Sequence, residues 1–152
     1  MYRLLMETPV GELTLCSRDG NGVSAIRFGR ESGEEKTCPV LQRCADQLQA
    51  YFRGELQVFD LLLDAGGTTF QRLVWAELVR IPYGATRTYG EVAAAIGRPT
   101  AARAVGMANH VNPLPIVVPC HRVVGQGGKL VGYAGGLEVK EFLLQLEQEH
   151  QR

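Results

Sequence analysis

The hydrophobic pattern of this 152-residue chain changes its period near residues 64–67. Before that point, apolar residues occur in short runs separated by glycine-containing turns, which favours strands. After it, apolar residues recur every three or four positions, which favours helices. The Asp-Ala-Gly-Gly segment at 64–67 follows neither pattern. The sequence therefore predicts an α+β protein with one domain at 1–67 and a second at 68–152.

The N-terminal domain is predicted to contain a hairpin and one helix. Strand patterns at 12–16 and 23–28 flank Asp-Gly and Asn-Gly dipeptides, which favour tight hairpin turns. Helical spacing of apolar residues follows at 41–52 and ends before a glycine. We interpret residues 58–63 as a last strand before the linker.

Two capping boxes mark the start of helices in the C-terminal domain. Thr68 and Gln71 form the first, and Thr88 and Glu91 form the second. In such a box each side chain satisfies a backbone N–H group that the first helical turn leaves open. The first of these helices is predicted to face inward with Phe70, Leu73, Val74 and Leu78.

A third helix is predicted at 101–109, with Thr100 as its N-cap. Two short helices joined by a glycine-containing turn are typical of a helix-turn-helix, whose second helix contacts DNA. Ala101, Ala102 and Arg103 would then lead the recognition helix. A plain three-helix bundle fits the same pattern. The last helix is predicted to face inward with Val139, Phe142, Leu143 and Leu146.

The charge distribution is uneven although the formal net charge is zero. Residues 70–136 carry seven basic and two acidic side chains, a balance of +5. This fits contact with a phosphate backbone, and it fits an ordinary solvated basic face equally well. No apolar run reaches the roughly 20 residues of a membrane span, and no secretory signal is evident. We expect a cytoplasmic protein with four free cysteines and no metal site.

The strongest chemical signal is Cys120, which stands between Pro119 and His121 after an apolar run. A thiol is a weak nucleophile until a base removes its proton. Because adjacent side chains diverge, we expect His121 to act through a bridging water, oriented by a carboxylate on the last helix. Arg122 would lower the pKa of the thiol or tie its loop to a neighbour. The carboxylate candidates are Glu138, Glu141, Glu147 and Glu149, of which Glu147 lies beside the inward Leu146.

A glycine-rich loop at 125–136 surrounds Tyr133. Such a loop lets backbone groups approach a flat ligand while an aromatic ring stacks on it. It lacks the Lys-Ser/Thr ending of a phosphate-binding loop. A buried Pro-Cys turn with a core histidine is the alternative interpretation of the whole region.

Residues 112–124 (Asn-Pro-Leu-Pro-Ile-Val-Val-Pro-Cys-His-Arg-Val-Val), the Gly-Tyr-Ala-Gly-Gly-Leu segment at 132–137 and Lys140-Glu141 together resemble the O6-alkylguanine-DNA alkyltransferases. The resemblance covers about residues 68–147, and the N-terminal half matches only in length and strand character. It implies a ribonuclease H-like N-terminal domain. It also implies a winged helix-turn-helix-like domain that carries the reactive cysteine, and no cofactor.

The resemblance also implies an activity and a set of roles. The protein would bind the minor groove of double-stranded DNA as a monomer and flip out an O6-alkylguanine, since the O6 atom is unreachable inside the stack. The alkyl group would move irreversibly to Cys120, and O4-alkylthymine is a further candidate substrate. His121 would be the water-mediated base and Glu147 its orienting partner. Asn112 would organise the turn, and Tyr89 would protonate or hydrogen-bond the leaving guanine.

On DNA, Arg103 would replace the flipped base in the stack, and Thr100, Ala101 and Ala102 would allow a close approach to the groove. The base pocket is expected to comprise Pro115, Val123, Tyr133, Ala134 and Gly135, with the backbone near Val123 and Ala134 contacting the guanine edge.

Two departures from the family pattern stand out. Ala134 occupies a position where the family often has serine, so a backbone donor is kept and a hydroxyl is lost. Some relatives bind zinc in the N-terminal domain, but the Cys and His positions here do not support such a site.

Three rival functions stay open at this level. A non-catalytic lesion binder would keep the fold and the arginine, but such proteins replace the cysteine. In a cysteine hydrolase the histidine usually lies far from the cysteine along the chain. A regulator that senses alkylation usually carries an extra N-terminal metal-binding domain, which we do not expect at this length.

Overall fold

The computed structural model describes residues 1–151 and divides the chain into two compact units, Met1–Gly66 and a second that begins at Gly67. The first unit has three antiparallel strands, β1 (Tyr2–Thr8), β2 (Gly11–Ser17) and β3 (Ala25–Phe28), in the order β1-β2-β3. One helix, α1 (Pro39–Phe52), packs against β1 and β2. The core of this first unit contains Leu13, Leu15, Ile26, Leu41, Leu48 and Tyr51, all almost fully buried.

The predicted hairpin is confirmed as β2 and β3, in which Leu15 pairs with Ile26. The predicted helix at 41–52 is confirmed as α1, which begins two residues earlier at a proline in its first turn. Strand β1 was not predicted, because its Leu-Leu-Met run does not alternate. The predicted strand at 58–63 is wrong. Only Leu63 forms an isolated bridge, to Val23, and Val58 is exposed, so this segment makes too few backbone contacts for a ladder.

Within residues 67–151 the second unit contains four α-helices, α2 (Thr69–Val79), α3 (Tyr89–Ala95), α4 (Ala102–His110) and α5 (Leu137–His150). Helices α2, α3 and α4 pack against one another. A two-residue parallel pair joins β4 (Arg87–Thr88) to β5 (Val123–Val124). This pairing brings the start of α3 to the chain that follows Cys120. None of the helices among residues 1–151 has the length and apolarity to cross a bilayer.

Both predicted capping boxes are confirmed. The Gln71 backbone N–H donates to Thr68 Oγ1 at 3.1 Å, and the Thr68 N–H donates to Gln71 Oε1 at 2.9 Å. The Glu91 N–H donates to Thr88 Oγ1 at 3.0 Å, and the Thr88 N–H donates to Glu91 Oε1 at 2.8 Å. Each box removes two unpaired donors from a helix end, so α2 and α3 begin where the sequence predicts.

The N-cap predicted for α4 is wrong. Ala101 occupies that position with no side-chain hydrogen bond, and Thr100 lies one residue too early to cap the helix. Residue Ala101 accepts the Val105 N–H through its backbone carbonyl alone.

The prediction that Leu73 and Phe142 face the core is also wrong. Leu73 is 40 % exposed and Phe142 is 38 % exposed. On α2 the buried aromatic residue is Trp75, whose indole N–H donates to the Ala108 carbonyl of α4 at 2.8 Å. On α5 the buried face contains Lys140 and Glu147, so two charged residues take positions that a purely apolar pattern cannot identify.

Candidate active site

Asn112 organises the turn that leads to Cys120. Its Nδ2 group donates to the Val118 carbonyl at 2.9 Å, and its Oδ1 accepts the Leu114 N–H at 3.0 Å. The Val118 N–H in turn donates to the Leu114 carbonyl at 2.9 Å. These bonds satisfy backbone groups that a buried loop would otherwise leave unpaired.

Two tight turns shape the apolar run itself. The Val117 N–H donates to the Pro115 carbonyl across Ile116, whose φ is +74°. A β-branched residue in this region is strained, so the surrounding bonds hold it there. The Cys120 N–H then donates to the Val118 carbonyl across Pro119, at φ −79° and ψ 65°. This second turn is an inverse γ-turn, for which the proline ring already sets φ.

His121 and Glu147 form a fully buried pair. The His121 Nε2 atom lies 2.6 Å from Glu147 Oε2. Glu147 also accepts from Arg122, whose Nε donates to Oε1 at 2.9 Å and whose Nη2 donates to Oε2 at 3.0 Å. The Gly84 N–H donates to Oε1 at 3.0 Å. This dense set of donors stabilises the carboxylate form.

The pKa values of the pair follow from these contacts. Burial by itself raises the pKa of Glu147, but the hydrogen bonds and charges of His121 and Arg122 outweigh it and hold the pKa at about 2. Burial, together with the charges of Arg122 and Lys140, lowers the pKa of His121 more than the Glu147 carboxylate raises it. A neutral imidazole beside a carboxylate places its proton on Nε2. Nδ1 is buried without a hydrogen-bond partner among residues 1–151, and this tautomer leaves its lone pair open to a proton.

Arg122 connects the cysteine turn to its surroundings. Besides its two bonds to Glu147, its Nη1 donates to the Ile81 carbonyl at 2.7 Å. These bonds favour a role in holding the cysteine loop against its neighbours over a role in lowering the pKa of the thiol.

Cys120 lies in a short 3-10 turn, Cys120–Arg122, and is 3 % exposed. Burial raises the pKa of its thiol, while a hydrogen bond from Asn112, the charge of Lys140 and a hydrogen bond with Tyr133 oppose that rise. The net direction is upward, so the resting thiol is neutral. The same groups would stabilise a thiolate once it forms.

Lys140 is a site residue to which the sequence analysis gave no role. Its side chain is fully buried, and its Nζ donates to the carbonyls of Val123 at 2.7 Å, Val131 at 3.0 Å and Gly132 at 3.3 Å. It therefore joins the chain after Cys120 to the glycine-rich loop. The signal for it was present, because Lys140, Leu143 and Glu147 share one stripe of α5 at spacings of three and four.

Replacing Lys140 with methionine is expected to reduce the free energy of unfolding by about 1–3 kcal/mol, because the buried Val123 carbonyl and two carbonyls of the glycine-rich loop lose their common donor. Urea denaturation measures this change. Lys129→Met is the matched control, since Lys129 lies exposed in the same loop. Equal losses in the two variants would contradict the role assigned to Lys140.

A cavity of about 220 Å³ opens in the second unit, and two residues of its wall, Tyr89 and Tyr133, interact with Cys120. Tyr133 lines it and interacts with the Cys120 thiol, and Tyr89 lines it while donating its hydroxyl to the Val131 carbonyl at 3.2 Å. Burial and the nearby Cys120 charge raise the pKa of Tyr89. The remaining lining residues are Gly106, Asn109, His110, Val131, Gly132 and Ala134.

The pocket expected from the sequence therefore overlaps this cavity in part. Tyr133 and Ala134 line it, whereas Pro115, Val123 and Gly135 do not. Pro115 is buried in the first tight turn, and the carbonyl of Val123 is taken by Lys140. Asn109 and His110 were missed because nothing local marks the last turn of α4 as a pocket wall.

The residues expected to contact DNA lie at the start of α4. Arg103 and Thr100 are exposed, and Ala101 and Ala102 are half-buried. The start of α4 therefore presents three small side chains and one long basic side chain, that of Arg103.

Two family models match the chain, one in each unit. Residues 69–149 match the 6-O-methylguanine DNA methyltransferase, DNA binding domain, and residues 1–65 match the ribonuclease-like domain of the same family. The chain belongs to the 6-O-methylguanine DNA methyltransferase family. It is 49 % identical to the methylated-DNA–protein-cysteine methyltransferase of Methanosarcina acetivorans, over 97 % of this chain and 98 % of the relative. It is 44 % identical to the constitutive enzyme of that name from Bacillus subtilis, over 97 % and 95 %.

Solved structures agree with this membership. The crystal structure of Mycobacterium tuberculosis OGT in complex with DNA superposes with a TM-score of 0.89 and 46 % identity, covering 99 % of this chain and 94 % of that one. The Mycobacterium tuberculosis O6-methylguanine methyltransferase superposes with a TM-score of 0.90 at 45 % identity and the same coverage. The predicted α+β fold class, with a small N-terminal sheet domain and a C-terminal helical domain, is confirmed.

Proposed function

We propose that this chain repairs DNA by moving the alkyl group from O6 of an alkylated guanine to its own Cys120. The observation that carries this proposal is the buried thiol of Cys120, which interacts with Tyr89 and Tyr133 in the wall of the cavity and is followed in the chain by His121, hydrogen-bonded to Glu147. The family and its DNA-bound relative supply the substrate class.

The first step is removal of the thiol proton. Nδ1 of His121 accepts it through a bridging water, and Glu147 stabilises the imidazolium that forms. Asn112, Tyr133 and the charge of Lys140 lower the energy of the resulting thiolate. Because the thiol is neutral at rest, it is protected from oxidants until this step.

The second step is displacement at the alkyl carbon. A C–S bond forms as the C–O6 bond breaks, and the electron pair of that bond goes to the purine. Tyr89 donates a proton to the leaving base and becomes a phenolate. The proton held by His121 then passes to this phenolate, so both residues return to their neutral forms. The products are an S-alkylated Cys120 and an unmodified guanine. The sulfur of the resulting thioether cannot form a thiolate, and its C–S bond is not readily broken. Each protein molecule therefore acts once.

Access to the base requires that the duplex be opened. Arg103 enters the stack in place of the flipped nucleotide, and Thr100, Ala101 and Ala102 fit the narrow minor groove. The +5 balance of residues 70–136 favours binding to the phosphate backbone. We propose that the protein engages DNA as a monomer.

Intact-mass measurement after incubation with an O6-methylguanine duplex tests the proposal. We expect one methyl group in place of one hydrogen, located on Cys120, once per molecule. Cys120→Ala is expected to gain nothing, and Cys16→Ala is the control that keeps the reaction. Repeated turnover would favour a hydrolase, and no added mass would favour a lesion binder.

Replacing Arg103 with alanine is expected to slow the reaction with duplex substrate by about 10- to 100-fold, since unstacking a base costs a few kcal/mol. Reaction with free O6-benzylguanine needs no unstacking and should be unchanged. Arg80→Ala removes one charge from the exposed end of α2 and is the control. Equal losses on both substrates would contradict a role for Arg103 in flipping.

A further inference from the structure

One polar atom beside the cavity has no hydrogen-bond partner. Asn109, in the last turn of α4, lines the cavity and is only 5 % exposed. Its Oδ1 is buried and accepts no hydrogen bond from the described residues. A buried acceptor without a donor is unfavourable, and native proteins usually satisfy such groups.

The orientation of this side chain is set by Cys120. Asn109 Nδ2 donates to the Cys120 carbonyl at 3.4 Å. Exchanging the two amide atoms would place Oδ1 against that carbonyl oxygen, which is repulsive. The unpartnered atom is therefore the acceptor, and the same amide is bonded to the residue that we propose receives the alkyl group.

The chemistry of the proposed substrate supplies the missing donor. Alkylation at O6 removes the hydrogen from N1, so the N1, N3, N7 and O6 atoms of the base can only accept. The exocyclic 2-amino group is then the only donor left on the base. An acceptor in the pocket wall can bind no other part of the purine.

We propose that Asn109 Oδ1 accepts a hydrogen bond from the 2-amino group of the flipped base, and that this contact selects alkylated guanine over 6-alkoxypurines without that group. This inference rests on the proposed function and adds to it a specificity-determining residue. The bond from Nδ2 to the Cys120 carbonyl links recognition of the base to the position of the nucleophile.

The test compares two matched duplexes, one with O6-methylguanine and one with 6-methoxypurine, which lacks only the 2-amino group. Rates of Cys120 methylation are measured by intact mass for the unaltered protein, Asn109→Leu and Asn109→Ala. Taking the ratio of the two rates for each protein, and comparing ratios between proteins, cancels the difference in duplex stability.

The unaltered protein is expected to prefer O6-methylguanine, and both variants should lose about 10- to 100-fold of that preference. The rate should fall more on O6-methylguanine than on 6-methoxypurine, because 6-methoxypurine can lose only the effect of the bond between Asn109 and the Cys120 carbonyl. His110→Ala alters another lining residue of the same cavity and should keep the preference.

Two outcomes overturn the inference. A ratio unchanged in both variants, whether the rates fall together or stay the same, would mean that Asn109 acts only through the Cys120 carbonyl or not at all. If the unaltered protein methylates Cys120 with neither duplex, the proposed function itself fails. The second result is distinguishable because it appears before any variant is compared.

Discussion

Replacing Glu147 with alanine is expected to reduce the free energy of unfolding by about 3–5 kcal/mol, the largest loss we expect from a single side chain here. The carboxylate accepts from His121, from two nitrogens of Arg122 and from the Gly84 backbone. Without it, a buried guanidinium loses its counter-ion. Urea denaturation followed by fluorescence of Trp75 measures the change.

The matched control is Glu141→Ala, an exposed carboxylate on the same helix. We expect it to change the free energy of unfolding by no more than about 0.5 kcal/mol. A loss of similar size in both variants would show that the effect comes from helix α5 rather than from the buried network.

The same network gives stability a defined dependence on pH. The folded pKa of Glu147, about 2, lies below its usual 4.5, so its contribution is complete above pH 4.5 and is lost as the pH falls towards 2. That contribution is roughly 3 kcal/mol. The lowered pKa of His121 adds a second loss of stability, which begins as the pH falls below 6.5, the usual pKa of histidine. The reason is that the unfolded chain takes up this proton at a higher pH than the folded chain does. Glu147→Ala should lack the part of the decline between pH 4.5 and 2 that this carboxylate causes.

Replacing His121 with glutamine is expected to slow methylation of Cys120 by about 10²- to 10⁴-fold at neutral pH, the range attributed to a general base. A glutamine amide can still donate to Glu147, but it has no basic lone pair for the thiol proton. The variant then depends on spontaneous ionisation of Cys120, whose pKa burial raises. Quenched reactions with an O6-methylguanine duplex, read by intact mass, give the rates.

The pH profile distinguishes this role from a structural one. Below the thiol pKa the rate of His121→Gln should rise about tenfold per pH unit, while the unaltered protein should be nearly flat near neutrality. His150→Gln, at the end of α5, should behave like the unaltered protein. A parallel downward shift of the whole profile in His121→Gln would indicate lost structure instead of a lost base.

Short-range signals in the sequence determined the local structure. The capping boxes at Thr68 and Thr88 act within four residues, so their spacing fixes where α2 and α3 begin. The hairpin of β2 and β3 follows from turn chemistry in the same way. The failures also have local causes: residues 58–63 have strand composition but pair only at Leu63, and Thr100 is a good capping residue one position too early.

The chemistry of the site was determined only partly by the sequence. Cys120 and His121 are adjacent, and the spacing on α5 favoured Glu147 among four carboxylates. The 2.6 Å contact between His121 and Glu147 joins residues 26 positions apart, and only the packing of α5 against the cysteine turn creates it. The unpartnered oxygen of Asn109 was invisible in the sequence for the same reason. The spacing on α5 indicates that Lys140 shares a face with Leu143 and Glu147, but only the packing decides which carbonyls it binds. Burial and hydrogen-bond satisfaction depend on every neighbouring element at once, whereas periodicity describes a single element.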